Sequence, residues 1–128
     1  MPILGDPDLA RTLRREVEGD VLFDPFSRGR YSTDASIYQI EPIGVVVPKN
    51  RADVRRAVQV AADAGVPVLP RGGGTSQCGQ TVVEALVVDT SRHLDAIIDF
   101  DAEARSATVE PGVVLDHLNG FLRPHGLF

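Results

Sequence analysis

Apolar residues recur with helical periodicity in three segments of the 128-residue chain. Asp6 and Asn50 lie at the start of the first two segments and can cap helices there, because their side chains accept hydrogen bonds from free backbone amides. We expect Gly19 and Gly65 to end these two helices, and the third helix to end before Pro124. The three segments are DPDLARTLRREVEGD, KNRADVRRAVQVAADAGVP and GVVLDHLNGFLRPHG.

Short, continuous apolar runs predict strands that are buried on both faces of a sheet. Two of them flank the second helix, and two later segments alternate around the turn AEAR, which predicts a β-hairpin. The buried runs are IGVVVP, VPVLP and ALVVD, and the hairpin strands are AIIDFD and SATVEPG. Residues 21–39 are turn-rich and predict a loop with one short extended piece. The pattern predicts an α+β fold with a βαβ start and a mixed sheet flanked by helices.

Composition narrows the classes of protein that this pattern allows. Charged residues make up 24% of the chain and the formal net charge is −5, which argues for a folded chain without a nucleic-acid-binding surface. The single cysteine, Cys78, cannot form an internal disulfide and fits a reducing compartment. The N-terminus lacks the features of a signal peptide, and no apolar run reaches the roughly 18 residues of a membrane helix. We therefore expect a cytoplasmic protein with no transmembrane segment.

The segment PRGGGTSQCGQ at residues 70–80 is the strongest candidate for a binding site. Three consecutive glycines in an ordered segment cost roughly 2 kcal/mol relative to alanines, so a demanding turn or a ligand on bare backbone must offset that cost. A Walker phosphate loop requires Gly-Lys-Ser/Thr, and this loop contains no lysine. A Rossmann fingerprint should open a helix, whereas this segment runs towards a predicted strand. Neither of these nucleotide-binding motifs is present.

The chemistry of the loop favours an anionic ligand. The loop follows the carboxyl end of a predicted strand, where α/β sheets bind their ligands. Consecutive amides can form an anion-binding nest, glycines let a pyrophosphate lie against the backbone, and Thr75 and Ser76 add hydroxyl donors. The alternative is a tight connection that needs glycine only for its turns. In that case, replacement of Gly73 by alanine would change stability and leave ligand affinity untouched.

Four segments of the chain resemble one known family. They are PIGVVVPKNRADV and PRGGGTSQCGQ, together with YSTDASIYQIEP and VEPGVVLDHLNGFLRPHGL. They resemble the FAD-binding domain of the vanillyl-alcohol-oxidase family, also called PCMH-type, and within it the glycolate-oxidase-subunit-D and D-lactate-dehydrogenase group. The resemblance covers residues 31–128, and residues 1–30 are predicted to form an N-terminal helix and a connecting segment. It implies the N-terminal portion of a PCMH-type fold, truncated before the second half of the FAD site and the cap domain.

The resemblance implies that FAD is held by two parts of the chain. The glycines with Thr75 and Ser76 would hold the pyrophosphate, and the turn at residues 110–112 would lie near the adenine or pyrophosphate. Members that bind FAD covalently often carry histidine at the position of Thr75, so its absence implies non-covalent FAD. No catalytic or metal-ligating residue is assigned. The cofactor-binding set is Pro70, Arg71, Gly72, Gly73, Gly74, Thr75, Ser76, Gly79, Gln80, Glu110, Pro111 and Gly112.

The activity implied by the resemblance is hydride transfer from a small 2-hydroxy acid to the flavin. It would require the longer parent protein, and the fragment alone would be inactive. The sequence GGGTSQCGQT also resembles the corresponding loop of dehydrogenases that are fused to an iron–sulfur module. The resemblance therefore implies such a module, or another electron acceptor, as the partner. The alternative function is a nucleotide- or phosphate-binding module without redox turnover.

Other reactive side chains are expected to have structural roles. Cys78 is predicted to pack, buried, beneath the glycine loop. The three histidines are scattered and are expected at the surface or in satisfied structural positions. Arg71 has two open roles, to neutralise a pyrophosphate or to tie the loop to a carboxylate. Asp34 is predicted to cap a turn through its side chain.

Overall fold

A computed structural model describes residues 3–128 of the protein. The helices are α1 Pro7–Glu16, α2 Pro25–Arg30, α3 Arg51–Asp63 and α4 Leu115–Leu122, which a 3-10 turn at Arg123–His125 follows. The strands are β1 Asp20–Leu22, β2 Gly44–Val47, β3 Val68–Arg71, β4 Leu86–Asp89, β5 Ile97–Asp101 and β6 Ser106–Val109. The three predicted helices and five predicted strands are all present, and β1 is the predicted short extended piece.

Four strands form a mixed sheet in the order β1-β2-β4-β3. β2 and β3 both run parallel to β4, whereas β1 is antiparallel to β2. Every residue of β2 and β4 is buried, which explains their uninterrupted apolar runs. β4 lies between β2 and β3 and leaves β3 at the edge, where it is only partly buried. The expectation of a fully buried VPVLP strand is therefore wrong.

Helices α1 and α3 pack on one face of this sheet. Leu13 of α1 and Ala57 of α3 share one core cluster with Val46 of the sheet, and all three are fully buried. The amide of Asp53 donates to Oδ1 of Asn50 at 2.9 Å, so the predicted helix cap is confirmed. The buried face of α3 is narrow, since the apolar residues Val58 and Ala62 are exposed.

The carboxylate of Asp53 also fixes the end of α1. Its two oxygens accept hydrogen bonds from the amides of Glu18 and Gly19, each at 3.0 Å. Val17 is already extended, with φ −117° and ψ 150°, so α1 ends at Glu16 and the expectation that Gly19 ends it is wrong. These two amides donate to a carboxylate more than 30 residues away along the chain, and not to the carbonyl oxygens of another helical turn.

Helix α2 lies in the segment that was predicted to be a loop. Asp24 caps it by accepting from the amide of Ser27 at 2.8 Å, and hydrogen bonding by Ser27 lowers the pKa of Asp24. Pro25 occupies the first helical position, where a missing amide costs nothing. With six residues, α2 is too short to show apolar periodicity. The Asp-Pro pair, which also begins α1, was the signal available in the sequence.

The C-terminal part is more open than the sheet region. β5 and β6 form a separate antiparallel pair with residues 102–105 as the turn, which confirms the predicted hairpin. Helix α4 has no buried residue. It meets the hairpin through an edge-to-face contact between the rings of Phe100 and Phe121, whose centroids are 5.5 Å apart.

Residues on both sides of position 30 contribute to one core, because β1 pairs with β2 and α1 packs on α3. The proposed division into residues 1–30 and 31–128 stays a prediction. Within the part of the chain that the structure describes, no helix combines the length and apolar character needed to cross a lipid bilayer.

Candidate functional site

The glycine loop begins where two parallel strands end together. Arg71, the last residue of β3, is paired with Asp89, the last residue of β4. The amide and the hydroxyl of Thr90 both donate to the carbonyl oxygen of Arg71, at 2.9 and 3.3 Å. The loop is thus anchored at the carboxyl edge of the sheet, which is where ligands bind in open α/β sheets.

Gly72 and Gly73 present open backbone. Neither has a φ in the left-handed region, so neither conformation requires glycine. A Cβ atom added at Gly72 would find no other atom within 4 Å, and one added at Gly73 would meet only Cγ2 of Thr75 at 3.8 Å. The fold therefore gives no reason for glycine at these two positions. Bare backbone beside free amides is the arrangement that a bulky anion needs.

Gly74 and Gly79, in contrast, are required by the fold. Their φ angles are +68° and +78°, which side chains rarely tolerate. A Cβ at Gly74 would lie 2.9 Å from Cζ of Arg71, and one at Gly79 would lie 2.7 Å from the ring of Tyr38. Two glycines of the loop shape it, and two leave space beside it.

The polar residues of the loop differ in exposure. Thr75 and Gln80 are exposed, and Ser76 is half-buried with its hydroxyl hydrogen-bonded to the side chain of Gln80. Cys78 is exposed, so the expectation that it packs beneath the loop is wrong. The volume beneath the loop is filled instead by the side chain of Arg71, which lies against Gly74.

Among the described residues, the guanidinium of Arg71 forms no ion pair with a carboxylate, so the predicted tie of the loop to a carboxylate is wrong. Neutralisation of a pyrophosphate by Arg71 stays a prediction. The residue is 9% exposed and donates to three backbone carbonyl oxygens. Nη1 donates to Tyr31 at 3.2 Å and to Thr81 at 3.0 Å, and Nη2 donates to Thr33 at 2.8 Å. These bonds join the start of the loop to its end and to the segment after α2. Its partners at positions 31 and 33 lie about 40 residues away in sequence, so spacing could not have revealed them.

A tyrosine–carboxylate pair supports this arginine. The ring of Tyr31 lies beneath the guanidinium, 5.3 Å from Cζ to the ring centroid. Its hydroxyl donates to Oδ2 of Asp89 at 2.6 Å, and Oδ1 of Asp89 accepts from the amide and hydroxyl of Ser91. Burial, then the hydrogen bond and negative charge of Asp89, raise the pKa of Tyr31 to about 12. Tyr31 therefore stays a neutral donor across the physiological range.

Asp34 ties the end of the loop to the same segment. Its carboxylate accepts from the amide of Ser36 at 2.9 Å and from the hydroxyl of Thr81 at 3.1 Å. Hydrogen bonding by Ser36, and then by Thr81, lowers the pKa of Asp34. The predicted turn cap is confirmed, and the link to Thr81 is a second role that the sequence did not indicate.

The second predicted segment, residues 110–112, packs mainly on its own neighbourhood. The amide of Glu110 donates to the carbonyl oxygen of Ala96 at 2.8 Å, and the amide of Ala96 donates to Oε2 of Glu110 at 3.1 Å. The amide of Gly112 donates to the carbonyl oxygen of Leu94 at 2.7 Å, and a Cβ there would lie 2.6 Å from that oxygen. Glycine at position 112 is explained by this close approach of two backbones.

Pro111 is the member of this segment that meets the glycine loop. It lines a cavity of about 380 Å³ together with Gly72 and Pro70, and Val54 and Val58 of α3 line the same cavity. An adjoining cavity of about 440 Å³ is lined by Glu110 and Pro111 and by the side chains of Arg51 and Arg55. The structure thus brings Pro70, Gly72 and Pro111 together, while Glu110 and Gly112 support them from the hairpin side.

The histidines at positions 93, 117 and 125 are exposed, as expected, and His125 packs against the ring of Phe100 with centroids 4.8 Å apart. Across residues 3–128, no group of three or more histidine, cysteine, aspartate or glutamate side chains is placed to hold a metal ion.

The fold and the open glycine backbone define a cofactor-binding domain, and comparison with known proteins agrees. The family described as "FAD binding domain" matches residues 42–128. The chain belongs to this family, and its cofactor is accordingly FAD.

Two curated relatives and one solved structure indicate which members of the family are similar. The D-2-hydroxyglutarate dehydrogenase of Pantoea ananatis is 42% identical over 113 residues, which are 86% of this chain and 11% of that protein. The glycolate oxidase subunit GlcD of Bacillus subtilis is 36% identical over 117 residues, 88% of this chain and 25% of that protein. The chain therefore spans only a small part of the curated relatives that it matches.

The solved structure is an alkyldihydroxyacetonephosphate synthase, which superposes with a TM-score of 0.80 at 21% identity over 98% of this chain and 26% of that one. At this identity the similarity concerns the fold alone. It confirms the predicted α+β fold of the PCMH-type FAD-binding domain.

Proposed function

We propose that this chain is the FAD-binding part of a flavin-dependent dehydrogenase of small 2-hydroxy acids, of the glycolate or D-lactate type. The observation that carries the proposal is the open backbone of Gly72 and Gly73 at the carboxyl edge of a parallel strand pair. Glycine there has no role in the fold, and a pyrophosphate needs this space.

The residues of the loop suit the cofactor. The amides following Gly72 and Gly73 and the exposed hydroxyl of Thr75 would donate to the pyrophosphate, and Ser76 could do so after releasing Gln80. Pro70 and Pro111 would border the nucleotide, and Gly74, Gly79, Glu110 and Gly112 would hold the walls in place. FAD would be bound non-covalently, since position 75 carries no histidine.

FAD would supply the hydride-accepting chemistry, and this chain would supply binding and orientation. The substrate class rests on the names of the relatives, D-2-hydroxyglutarate dehydrogenase and glycolate oxidase subunit GlcD. Residues that bind the hydroxy acid would lie in other parts of the enzyme, so the 128 residues alone would not turn over substrate. An iron–sulfur module or another acceptor would take the electrons, and the enzyme would work in the cytoplasm.

The test is the visible absorption spectrum of the complete gene product, purified with FAD and then desalted. We expect flavin bands that bleach anaerobically with D-2-hydroxyglutarate, glycolate or D-lactate, and flavin that acid precipitation releases into the supernatant. A protein that keeps its flavin bands with every 2-hydroxy acid would contradict the substrate class. A colourless protein that refuses FAD would contradict the cofactor assignment and favour a phosphate-binding module.

A further inference from the structure

The side chain of Arg71 lies inside the loop that its own backbone begins. Its three carbonyl acceptors belong to Tyr31, Thr33 and Thr81, and the backbone of Gly74 lies on the guanidinium itself. The planar guanidinium has several N–H donors in fixed directions, so it can hold three carbonyl oxygens at fixed relative positions. The ammonium group of a lysine would do this less well. This side chain therefore contributes to the path of the loop over residues 72–81 from beneath.

Among the described residues, no carboxylate lies within 4.0 Å of this guanidinium. In the described part of the chain, the ion pairs within 4.0 Å involve Arg11, Arg28, Arg51 and Arg92, and none involves Arg71. Buried charges are normally paired, because removal of an ion from water is costly. Carbonyl dipoles solvate the cation here, but they leave its positive charge against Gly74, the residue that follows the open backbone of Gly72 and Gly73.

We propose that Arg71 is a positioning residue for the cofactor's diphosphate. It pre-forms the loop through the three carbonyls, and its buried positive charge finds its counter-charge in the diphosphate on the other side of the loop. The inference rests on the proposed function. In this role Arg71 acts through the loop backbone and not by touching the phosphates.

The experiment compares FAD dissociation constants, measured by flavin fluorescence, for the complete gene product and for Arg71→Gln, Arg71→Lys and Arg28→Gln. Arg28 is the control: it is also 9% exposed and donates to a backbone carbonyl, that of Phe23 at 3.2 Å, but its charge is paired with Glu41. Melting temperature and far-ultraviolet circular dichroism are recorded for each apoprotein. Inorganic pyrophosphate is added separately as a probe of thermal stabilisation.

We expect Arg71→Gln to weaken FAD binding roughly 10- to 100-fold, since hydrogen bonds from a buried cation and its charge are both lost. Arg71→Lys should keep the charge and lose the fork, so its affinity should fall by about 3- to 10-fold. Arg28→Gln should lower the melting temperature and leave FAD affinity within about threefold. Pyrophosphate should raise the melting temperature of the wild type and of Arg28→Gln, but hardly that of Arg71→Gln.

Three results would overturn the proposal: unchanged FAD affinity in Arg71→Gln, equal losses of affinity in Arg71→Gln and Arg28→Gln, or equal stabilisation of all variants by pyrophosphate. If Arg71→Gln does not fold, Arg71→Lys decides, and an affinity equal to that of the wild type counts against the proposal. Failure of the wild type to bind FAD would instead contradict the proposed function, so the two failures are distinguishable.

Discussion

The loop at residues 72–81 contains two pairs of glycines, and each pair is glycine for a different reason. Gly74 and Gly79 have left-handed φ angles and pack closely on Arg71 and Tyr38, so the fold requires them. Gly72 and Gly73 have ordinary φ angles and open space where a side chain would be, so the fold does not. A run of glycines can thus be divided into residues that shape a loop and residues that leave room for its ligand.

The largest expected effect is that of Gly74→Val on stability. A β-branched residue would be strained at φ +68°, and its Cβ would press on the guanidinium of Arg71. Strain and overpacking together should lower the free energy of unfolding by about 3 kcal/mol. The measurement is urea denaturation of the apoprotein, followed by circular dichroism.

The matched control for this variant is Gly65→Val. Gly65 follows α3 with φ +65°, but a Cβ there would meet no atom within 4 Å. Backbone strain alone should cost about 1 to 2 kcal/mol, less than in Gly74→Val. Equal losses in the two variants would show that the contact between Gly74 and Arg71 is unimportant.

The second effect is that of Gly73→Val, which should separate binding from folding. With an ordinary φ and open surroundings, valine should change the free energy of unfolding by less than about 1 kcal/mol. Its side chain would occupy the space proposed for the pyrophosphate, so FAD affinity should fall roughly 10- to 100-fold, about 1.4 to 2.8 kcal/mol. Fluorescence titration with FAD measures this directly. Unchanged affinity would mean that the pyrophosphate does not lie on Gly73.

The division between the two pairs could not be predicted from the sequence. Buried strands such as β2 and β4 and the capped helix α3 were predictable, because apolar runs and cap residues are local signals. The position of the loop after a strand was predictable for the same reason. Which glycine needs a positive φ depends on the path of the loop.

That path is fixed by contacts that are distant along the chain. Arg71 reaches carbonyls at positions 31 and 33, and Thr81 reaches the carboxylate of Asp34, 47 residues away. Cys78 is exposed, whereas the buried side chain that lies against Gly74 is that of Arg71. Spacing along the sequence gives no measure of such contacts.

The smallest expected effect on stability is that of a change at Tyr31, whose ring packs against the guanidinium of Arg71. The pKa of Tyr31 is raised to about 12, whereas a tyrosine in the unfolded chain titrates near 10. Between these two pH values the unfolded state binds fewer protons than the folded state, so the free energy of unfolding falls as the pH rises. Below pH 10 the stabilisation is fully present, and above about pH 12 it is lost.

Tyr31→Phe should therefore be less stable than the wild type at neutral pH, by about 1 kcal/mol for one lost hydrogen bond. Because phenylalanine does not titrate, the stability difference should shrink between pH 10 and 12, as measured by urea denaturation at a series of pH values. Ser91→Ala is the control, since the Ser91 hydroxyl also donates to Asp89 but does not titrate in this range. This control should keep the alkaline slope of the wild type. If Tyr31→Phe keeps it as well, the slope does not come from titration of Tyr31, and the raised pKa of this tyrosine is contradicted.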